Sequence, residues 1–580
     1  VITNAEIASI LSELARLTVL EDGSPQSFRV RAYEKAARAV EIHDEPLAPL
    51  TAAQITKVPG LGASSAKKIR ELADTGRLAK LDSLRETFPP AFVEVTRIPG
   101  VGPKTALMLR ESLGIESVDD LKRAVGDQAL RDLPGLGAKT EENIARSIER
   151  LGIGGKDRRT PIVDAMRIAQ DMVAALEAMP GVDRAVPMGS LRRFRETIGD
   201  VDIIAVSEGG SGAIMEWFTT MSTVTDVVGF GAKKSSVIVG AGIQVDLRVM
   251  TAAQFGSASM YFTGSKAHNI RLRQLAMDRG WILNEYGLSD SASGDLIASE
   301  TEEDVYAALG LPWIPPELRE DTGEVEAAIA GSLPDLVDVG HLHGDLHVHT
   351  DLSGDGRDSI EAMLDAVVAR GLTYVAITDH AEDLVINGAS RDEMLAQRAH
   401  IDELCVRYPD LTVLHGAELN IGPEGSIDYD RDFLAGFDFG VASVHSQFDL
   451  PADVQTQRVI TAMNNPAVNV IGHLTGRMIG RRPGIELDVD AVLAAAVETG
   501  CGIEINSHLQ RLDASADVLR RAVGSDVVFV ISTDAHDTRE LANSMWGVRN
   551  ARRGWVRRDR VANTWETAEF LAWVASKRGR

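Results

Sequence analysis

Along the first 150 residues, apolar positions recur at helical spacing and are interrupted by short Pro-Gly stretches. VPGLG (58–62), IPGVG (98–102) and LPGLG (133–137) return at intervals of 40 and 35 residues, each between two helical segments such as PKTALMLRESL. A glycine-rich break, LGIGGKDRRTP (151–161), closes this block. Residues 162–180 then predict one helix, with Ile162, Met166, Ile168, Met172, Val173, Leu176 and Met179 on a shared face. Strand-like runs follow: RAVPM, DVDIIAV, SSVIVG and IQVDLRVM. Residues 315–340 are Pro-flanked and acidic and predict a linker. Beyond them, YVAITDH, TVLHGAEL, FGVASVHS, NVIGHL, GIEINS and VVFVISTDAH alternate with helical stretches. That order predicts an α/β layout with a parallel sheet, closed as a barrel.

The length, 580 residues, is enough for three or four domains. Apolar residues at 44% and charged residues at 25% are ordinary for a soluble globular chain. No apolar run reaches the roughly eighteen residues that a membrane span needs. Two cysteines, Cys405 and Cys501, are too few for a disulfide framework, and the expected compartment is a reducing cytoplasm. The net charge of −25 argues against a nucleic-acid partner until it is divided. Residues 1–300 carry 36 Lys+Arg against 39 Asp+Glu, a net of −3, so residues 301–580 carry the remaining −22. The first half can therefore present a local basic face to phosphates.

The repeat supports that reading. Glycines at 60 and 62, 100 and 102, and 135 and 137 allow a tight turn, and the N–H groups opening the next helix are free to meet a phosphate. Three copies form a helix-hairpin-helix pattern, a sequence-independent grip on a nucleic-acid backbone through Gly60, Gly62, Gly100, Gly102, Gly135 and Gly137.

In GSLRRFRETIGDVDIIAV (189–206), Asp200 and Asp202 share one face of a strand. Close carboxylates repel unless a cation lies between them. Asp246, in QVDLRVM, offers a third oxygen donor, and three carboxylates without histidine suit Mg²⁺. A rigid strand fixes donors for two ions about 3.5–4 Å apart. Gly189 and Ser190 form a turn able to approach a phosphate, and Arg192 and Arg193 add positive charge.

Residues 341–580 hold 11 of the 13 histidines. His347, His349, His380, His445, His473 and His536 fall in short motifs at strand ends, with Asp534; Glu418 ends the run TVLHGAEL, and Asp355 lies in the loop SGDGRD. Active sites of α/β folds gather at the carboxyl ends of strands. Nine mixed imidazole and carboxylate donors suit Mn²⁺, Zn²⁺ or Fe, up to three ions. Arg477, Arg481 and Arg482, after His473, are candidates to hold a nucleic-acid backbone.

GSLRRFRETIGDVD, VDLR and YFTGSKAHNIRLR (261–273) resemble the palm and thumb of family X DNA polymerases, the DNA polymerase beta-like repair enzymes. The likeness runs from the N-terminal helices to about residue 318. It implies a nucleotidyltransferase in which Asp200, Asp202 and Asp246 bind two Mg²⁺ and Asp246 helps to activate the primer 3′-hydroxyl. Ser190 and Arg193, with Gly189, would hold the triphosphate. Tyr261 and Phe262 would pack beside the sugar, where backbone near Gly264 rejects a 2′-hydroxyl. Asn269 and Arg273 would contact the nucleotide and the template. Lys68 matches a lyase lysine that forms a Schiff base with an abasic sugar, although Ser64 replaces a second lysine common in the family.

Residues 341–580 resemble the PHP domain (polymerase and histidinol phosphatase), a distorted barrel with a trinuclear metal centre. All nine ligand positions are filled, and the SGDG loop carrying Asp355 is one residue longer than usual. In bacterial family X polymerases this domain is associated with 3′→5′ exonuclease, abasic endonuclease or 3′-phosphatase activity.

The expected fold is multidomain, with a helical helix-hairpin-helix region, an α+β palm and thumb, and a C-terminal α/β distorted barrel. Expected boundaries are 1–85 for a lyase-like helical domain, 86–154 for hairpin fingers, 155–255 for the palm, 256–318 for the thumb, 319–340 for the linker and 341–580 for the PHP domain. Expected partners are gapped or nicked double-stranded DNA and deoxynucleoside triphosphates, bound by a monomer away from membranes. Two rivals stand beside this reading: a C-terminal phosphatase for small metabolites tethered to the polymerase, and a DNA clamp with an inactive palm.

Overall fold

The computed structural model describes residues 2–578 except 3, 25, 42, 44, 97, 99, 152–158, 241 and 385. Most of the glycine-rich break and the proline of IPGVG thus lie outside the described residues. No helix among the described residues is long and apolar enough to cross a membrane.

The N-terminal block is helical, and each Pro-Gly stretch turns one helix into the next. The pairs are Ala52–Ile55 with Ala63–Thr75, Pro90–Val95 with Pro103–Leu113, and Val118–Gly126 with Ala138–Leu151. The same backbone bond closes all three turns: Leu61 N to Val58 O, Val101 N to Ile98 O and Leu136 N to Leu133 O, at 3.1, 2.9 and 3.1 Å. The first glycine of each, Gly60, Gly100 and Gly135, has φ of +89°, +87° and +80°, a conformation costly for any other residue. Leu61, Val101 and Leu136 are buried in one core with Ile69, Leu109 and Ile144.

The palm is a five-stranded sheet of β1 (Arg184–Pro187), β2 (Asp200–Val206), β3 (Val224–Gly229), β4 (Lys234–Val239) and β5 (Ile243–Met250), in the order β1-β2-β5-β4-β3. Only β2 and β5 run parallel. Val201, Ile203 and Ala205 share a core with Ile162, Met166 and Ala169 of the helix Ile162–Glu177. Ile204, on the opposite face, packs with Met188 and Ala258. Asp200 and Asp202 share its parity, so they emerge between the loop at 189 and the helix Phe255–Thr263. β3 went unanticipated because it is an edge strand whose side chains face solvent and show no apolar alternation.

The thumb joins the helices Lys266–Met277 and Glu302–Ala308 to a small antiparallel sheet of β6 (Trp281–Asn284), β7 (Gly287–Asp290) and β8 (Leu296–Ala298). The stretch expected as a linker is packed, not solvated. Arg319 is completely buried, with its guanidinium on Glu302 at 2.7 and 3.1 Å. Glu324 is equally buried, 2.7 Å from His268 Nδ1.

The C-terminal unit is a seven-stranded parallel sheet. In chain order and in space it runs β9 (Gly344–Val348), β10 (Tyr374–Ile377), β11 (Thr412–Asn420), β12 (Phe439–Ser443), β13 (Val470–Ile471), β14 (Gly502–Asn506) and β15 (Phe529–Ser532). Residues after β15 return to β9: Val348 bridges Ala535, and His349 N donates to Ala535 O at 2.9 Å. The sheet thereby closes into a barrel. Its strands are buried on both faces, which explains their continuous apolar runs.

Candidate active sites

In the palm, β2 and β5 pair in parallel register with Asp202 opposite Asp246 and Asp200 opposite Gln244. All three aspartates thus come to one end of two central strands. Asp202 is pushed up to about 6, first by burial and then by the charge of Asp200, with Arg248 opposing the shift. Arg248 Nη1 donates to Asp202 Oδ1 at 3.1 Å, and Gln244 Nε2 donates to Asp246 Oδ1 at 2.8 Å. Lys234 Nζ lies 2.5 Å from Asp246 Oδ2. A buried carboxylate raised further by a neighbouring anion, with only monovalent cations beside it, has the donor chemistry of a divalent metal site.

A cavity of about 530 Å³ opens beside Asp200 and Asp202. Gly189, Ser190 and Arg193 border it on one side, and Tyr261, Phe262, Gly264, Asn269 and Arg273 on the other, so the residues expected to hold a nucleotide come together. Gly189 has φ +62°, and a Cβ there would lie 2.6 Å from Asp202 Oδ2. The Asn269 amide donates to Tyr261 O at 2.6 Å, while its buried Oδ1 has no hydrogen-bond partner among the described residues. Phe262 lies edge-on to Tyr261 and beneath the Arg248 guanidinium, 4.0 Å away.

The two adjacent arginines part company. Arg193 borders the cavity, with Nε 3.0 Å from Glu320 Oε1. Arg192 turns away and grips buried Glu302 with two bonds of 2.8 Å. Burial alone would raise the Glu302 carboxyl, but Arg319 and Arg192 hold it well below the usual carboxylate range. Arg192 is therefore a structural pin of palm to thumb, not a second phosphate contact.

In the N-terminal block, Lys68 is half-buried on the helix Ala63–Thr75, with Nζ 3.2 Å from Ser64 Oγ and 5.1 Å from the Tyr33 ring centre. Gly62, Gly102 and Gly137 precede helices and have open space where a Cβ would point, as close approach of a DNA backbone requires.

At the carboxyl ends of the barrel strands, all nine expected ligands converge. Three groups have ligand atoms within 4.8 Å of one another: His349, His380 and His536; His347, His349 and Asp534; and His380, Glu418 and His445. Glu418 lies at the centre, 2.9 Å from His473 Nε2, 3.2 Å from His445 Nε2 and 2.8 Å from His380 Nδ1. Asp355, on the lengthened loop, lies 3.5 Å from both His380 Nε2 and His536 Nε2. His347 Nε2, His349 Nε2, His380 Nδ1 and Glu418 Oε2 are buried without an aligned hydrogen bond among the described residues. Polar atoms that approach so closely without aiming at one another aim at shared points between them, and the donor set fits divalent metals.

The titration pattern agrees. Burial would raise Glu418, but His445, His347 and His380 hold it well below the ordinary range. Burial would lower His347, yet Glu504, Glu418 and Asp534 raise it well above. Burial, then His536 and His380, push the neighbouring His349 down. Asp534 adopts φ +55°, a strained value for a non-glycine residue that turns its carboxylate into the cluster.

Residues not anticipated from the sequence orient this cluster. Buried Glu504, on β14, accepts from His347 Nδ1 at 2.7 Å and receives the His473 N–H with its other oxygen. Asn420 Oδ1 lies 2.7 Å from His445 Nδ1, and Asn387 holds Asp355 at 2.6 Å. The available signal was an acidic residue inside the apolar run GIEIN. Arg477 is not free to hold a DNA backbone. Its guanidinium makes two bonds, 2.9 and 2.8 Å, to Glu196 of the palm, joining the two halves of the molecule. Arg482 is likewise occupied, donating to Gly476 O and lying 4.1 Å from the Phe448 ring centre.

Comparison with known proteins places these two sites in context. Residues 2–78 match a helix-hairpin-helix domain, 92–150 a SAM-like helix-hairpin-helix tandem, 258–320 the DNA polymerase beta thumb and 345–508 the PHP domain. The chain is 36% identical over 562 residues to the DNA polymerase/3′-5′ exonuclease PolX of Bacillus subtilis, spanning 96% of this chain and 97% of that protein. It is 28% identical over 321 residues to DNA polymerase lambda of Rattus norvegicus, spanning 50% of this chain and 52% of that protein. It is 27% identical over 230 residues to a probable phosphatase of Thermoanaerobacter sp. (strain X514), 38% of this chain and 89% of that protein.

Proposed function

The chain belongs to the family X DNA polymerases that carry a C-terminal PHP domain, and from that membership we propose that it fills short gaps in DNA at the palm and trims or dephosphorylates 3′ ends at the barrel mouth. The observation that carries the first activity is the register that sets Asp202 beside Asp246, at a cavity bordered by Ser190 and Arg193. Asp200, Asp202 and Asp246 would hold two Mg²⁺, which supply charge neutralisation and Lewis acidity at the phosphoryl oxygens. The Arg193 guanidinium and Ser190 hydroxyl bind the triphosphate. Tyr261 and Phe262 flank the sugar, and the free Asn269 Oδ1 and the Arg273 guanidinium orient the nucleotide against the template. Asp246 holds the proton leaving the primer 3′-hydroxyl.

At the barrel mouth, His347, His349, Asp355, His380, Glu418, His445, His473, Asp534 and His536 would hold Mn²⁺ or Zn²⁺, up to three ions. Glu504 and Asn420 orient His347 and His445 so that the outer ring nitrogen of each faces the cluster. The hairpin turns at Gly60, Gly62, Gly100, Gly102, Gly135 and Gly137 hold the duplex on either side of the gap. Lys68 acts on, or grips, the 5′ end.

The test is nucleotide incorporation and 3′-end degradation on a gapped duplex, in Mg²⁺ and then Mn²⁺. Asp202→Ala should abolish incorporation and spare degradation, and His349→Ala should do the reverse; incorporation at the wild-type rate by Asp202→Ala refutes the palm assignment. The likeness to a probable phosphatase favours a second reading, in which the barrel hydrolyses small phosphate monoesters. Faster turnover of histidinol phosphate than of a 3′-tailed duplex would select it.

A further inference from the structure

The loop that borders the nucleotide cavity, residues 189–196, does not stand on the palm alone. Arg477 holds its Glu196. Phe194, fully buried with φ +59°, stacks on Trp546 of the barrel helix Ser544–Arg553, at 5.8 Å between ring centres and 11° between planes. From the same helix, Arg549 donates to Arg192 O and lies 4.7 Å from the Phe194 ring centre. Arg553 donates to Arg193 O at 3.3 Å. The helix is seated tightly on the strands behind the metal cluster: a Cβ on Gly547 would lie 2.2 Å from Ser507 Oγ and 2.8 Å from Ile531 Cγ2.

One carboxylate links the two domains electrically. Glu320 Oε1 receives Arg193 Nε and Arg553 Nη1, both at 3.0 Å. All three side chains are at most 17% exposed, so these charges are weakly screened. The Arg193 guanidinium borders the cavity, with Nη1 donating to Thr263 O and Nε to Glu320, and a bound triphosphate would compete with Glu320 for it. Glu320 then keeps Arg553 as its close counter-charge at 3.0 Å, with Arg195 further off at 3.8 Å and more exposed. We propose that Arg553 of the PHP domain is a positioning residue for nucleotide binding at the polymerase centre, acting through Glu320 on Arg193. The inference rests on the reading of Arg193 as a triphosphate ligand.

The experiment is single-nucleotide incorporation by the full chain on a one-nucleotide-gapped duplex in Mg²⁺, with KM for the nucleotide and kcat measured separately. Mn²⁺-dependent degradation of a 3′ end by the same preparations reports that the barrel is intact. Without Arg553, Glu320 retains Arg193, and KM rises about tenfold, the size of one charge-assisted hydrogen bond, with kcat little changed. Arg553→Lys keeps the charge and stays near wild type. Adding Glu320→Gln to Arg553→Ala removes the carboxylate charge that competes for Arg193, which keeps its bond to Thr263 O, and returns KM toward wild type, which a general loosening of the interface would not do. An unchanged KM in Arg553→Ala overturns the proposal, as does a raised KM that Glu320→Gln leaves raised. Arg193→Ala separates the two levels. If it leaves KM unchanged, the ligand reading itself fails; if it raises KM while Arg553→Ala does not, only the link to the PHP domain fails.

Discussion

Gly189→Ala tests the packing of the polymerase centre with a single methyl group. Two costs follow from the structure. Gly189 has φ +62°, where an L-residue pays roughly 1–2 kcal/mol. Its new Cβ would stand 2.6 Å from Asp202 Oδ2, where ordinary contact begins near 3.4 Å. The loop cannot simply lift away, because Met188 N donates to Asp202 O at 2.7 Å and ties it to β2. The carboxylate must therefore retreat by about 0.8 Å, and displacements near 1 Å at a reacting centre cost on the order of a hundredfold in rate. Steady-state incorporation on a gapped duplex should show kcat falling about a hundredfold. Degradation of 3′ ends in Mn²⁺ should be unchanged, since that cluster lies in another domain. Incorporation by Gly189→Ala at the wild-type rate would refute the placement of Asp202 against this turn.

Glu504→Gln removes the carboxylate charge facing His347 Nδ1 without removing a candidate metal ligand. Mn²⁺ affinity of the barrel, measured by titration calorimetry, should weaken about 10–100-fold while Mg²⁺-dependent incorporation is kept; unchanged affinity contradicts the role. Burial, then the charge of Arg398, hold buried His415 down at about 4, against an ordinary value near 6.5. Its folded form thus stays neutral while the unfolded chain takes up a proton, so stability is lost as pH falls from 6.5 toward 4, by about 2 kcal/mol at pH 5. His415→Gln should flatten the fall in Tm between pH 7 and 5 relative to wild type, and parallel curves would refute this. Borohydride with a 5′-abasic oligonucleotide should trap a covalent adduct that Lys68→Ala loses; an adduct that persists in the variant excludes Lys68 as the nucleophile.

The candidate ligands were legible in the sequence because all but Asp355, which lies on a loop, fall in short motifs at or near the end of an apolar run, and parallel strands in an α/β fold deliver their carboxyl ends to one place. The palm aspartates were legible for a similar reason, since period-two alternation fixes a shared face. The fate of the arginines was not. Arg192 and Arg193 are neighbours of the same type, yet one meets Glu302 and the other Glu320, 110 and 127 positions away. Arg477 finds Glu196 across 281 positions. Sequence shows that an arginine is present but not which distant carboxylate claims it. The segment 315–340 misled for the same reason: its charged residues read as solvated, but Arg319 is buried against Glu302, and Glu324 is buried where His268 Nδ1 and the N–H groups of Asp321 and Thr322 hydrogen-bond its carboxylate.

Anomalous diffraction from crystals of the full chain soaked in Mn²⁺ would locate the bound ions directly. Peaks should fall in two separate places, one among Asp200, Asp202 and Asp246 and one among the six strand-end histidines with Glu418, Asp355 and Asp534. Absence of ions from either place at saturating Mn²⁺ would contradict the presence of two phosphoryl-transfer centres in this molecule.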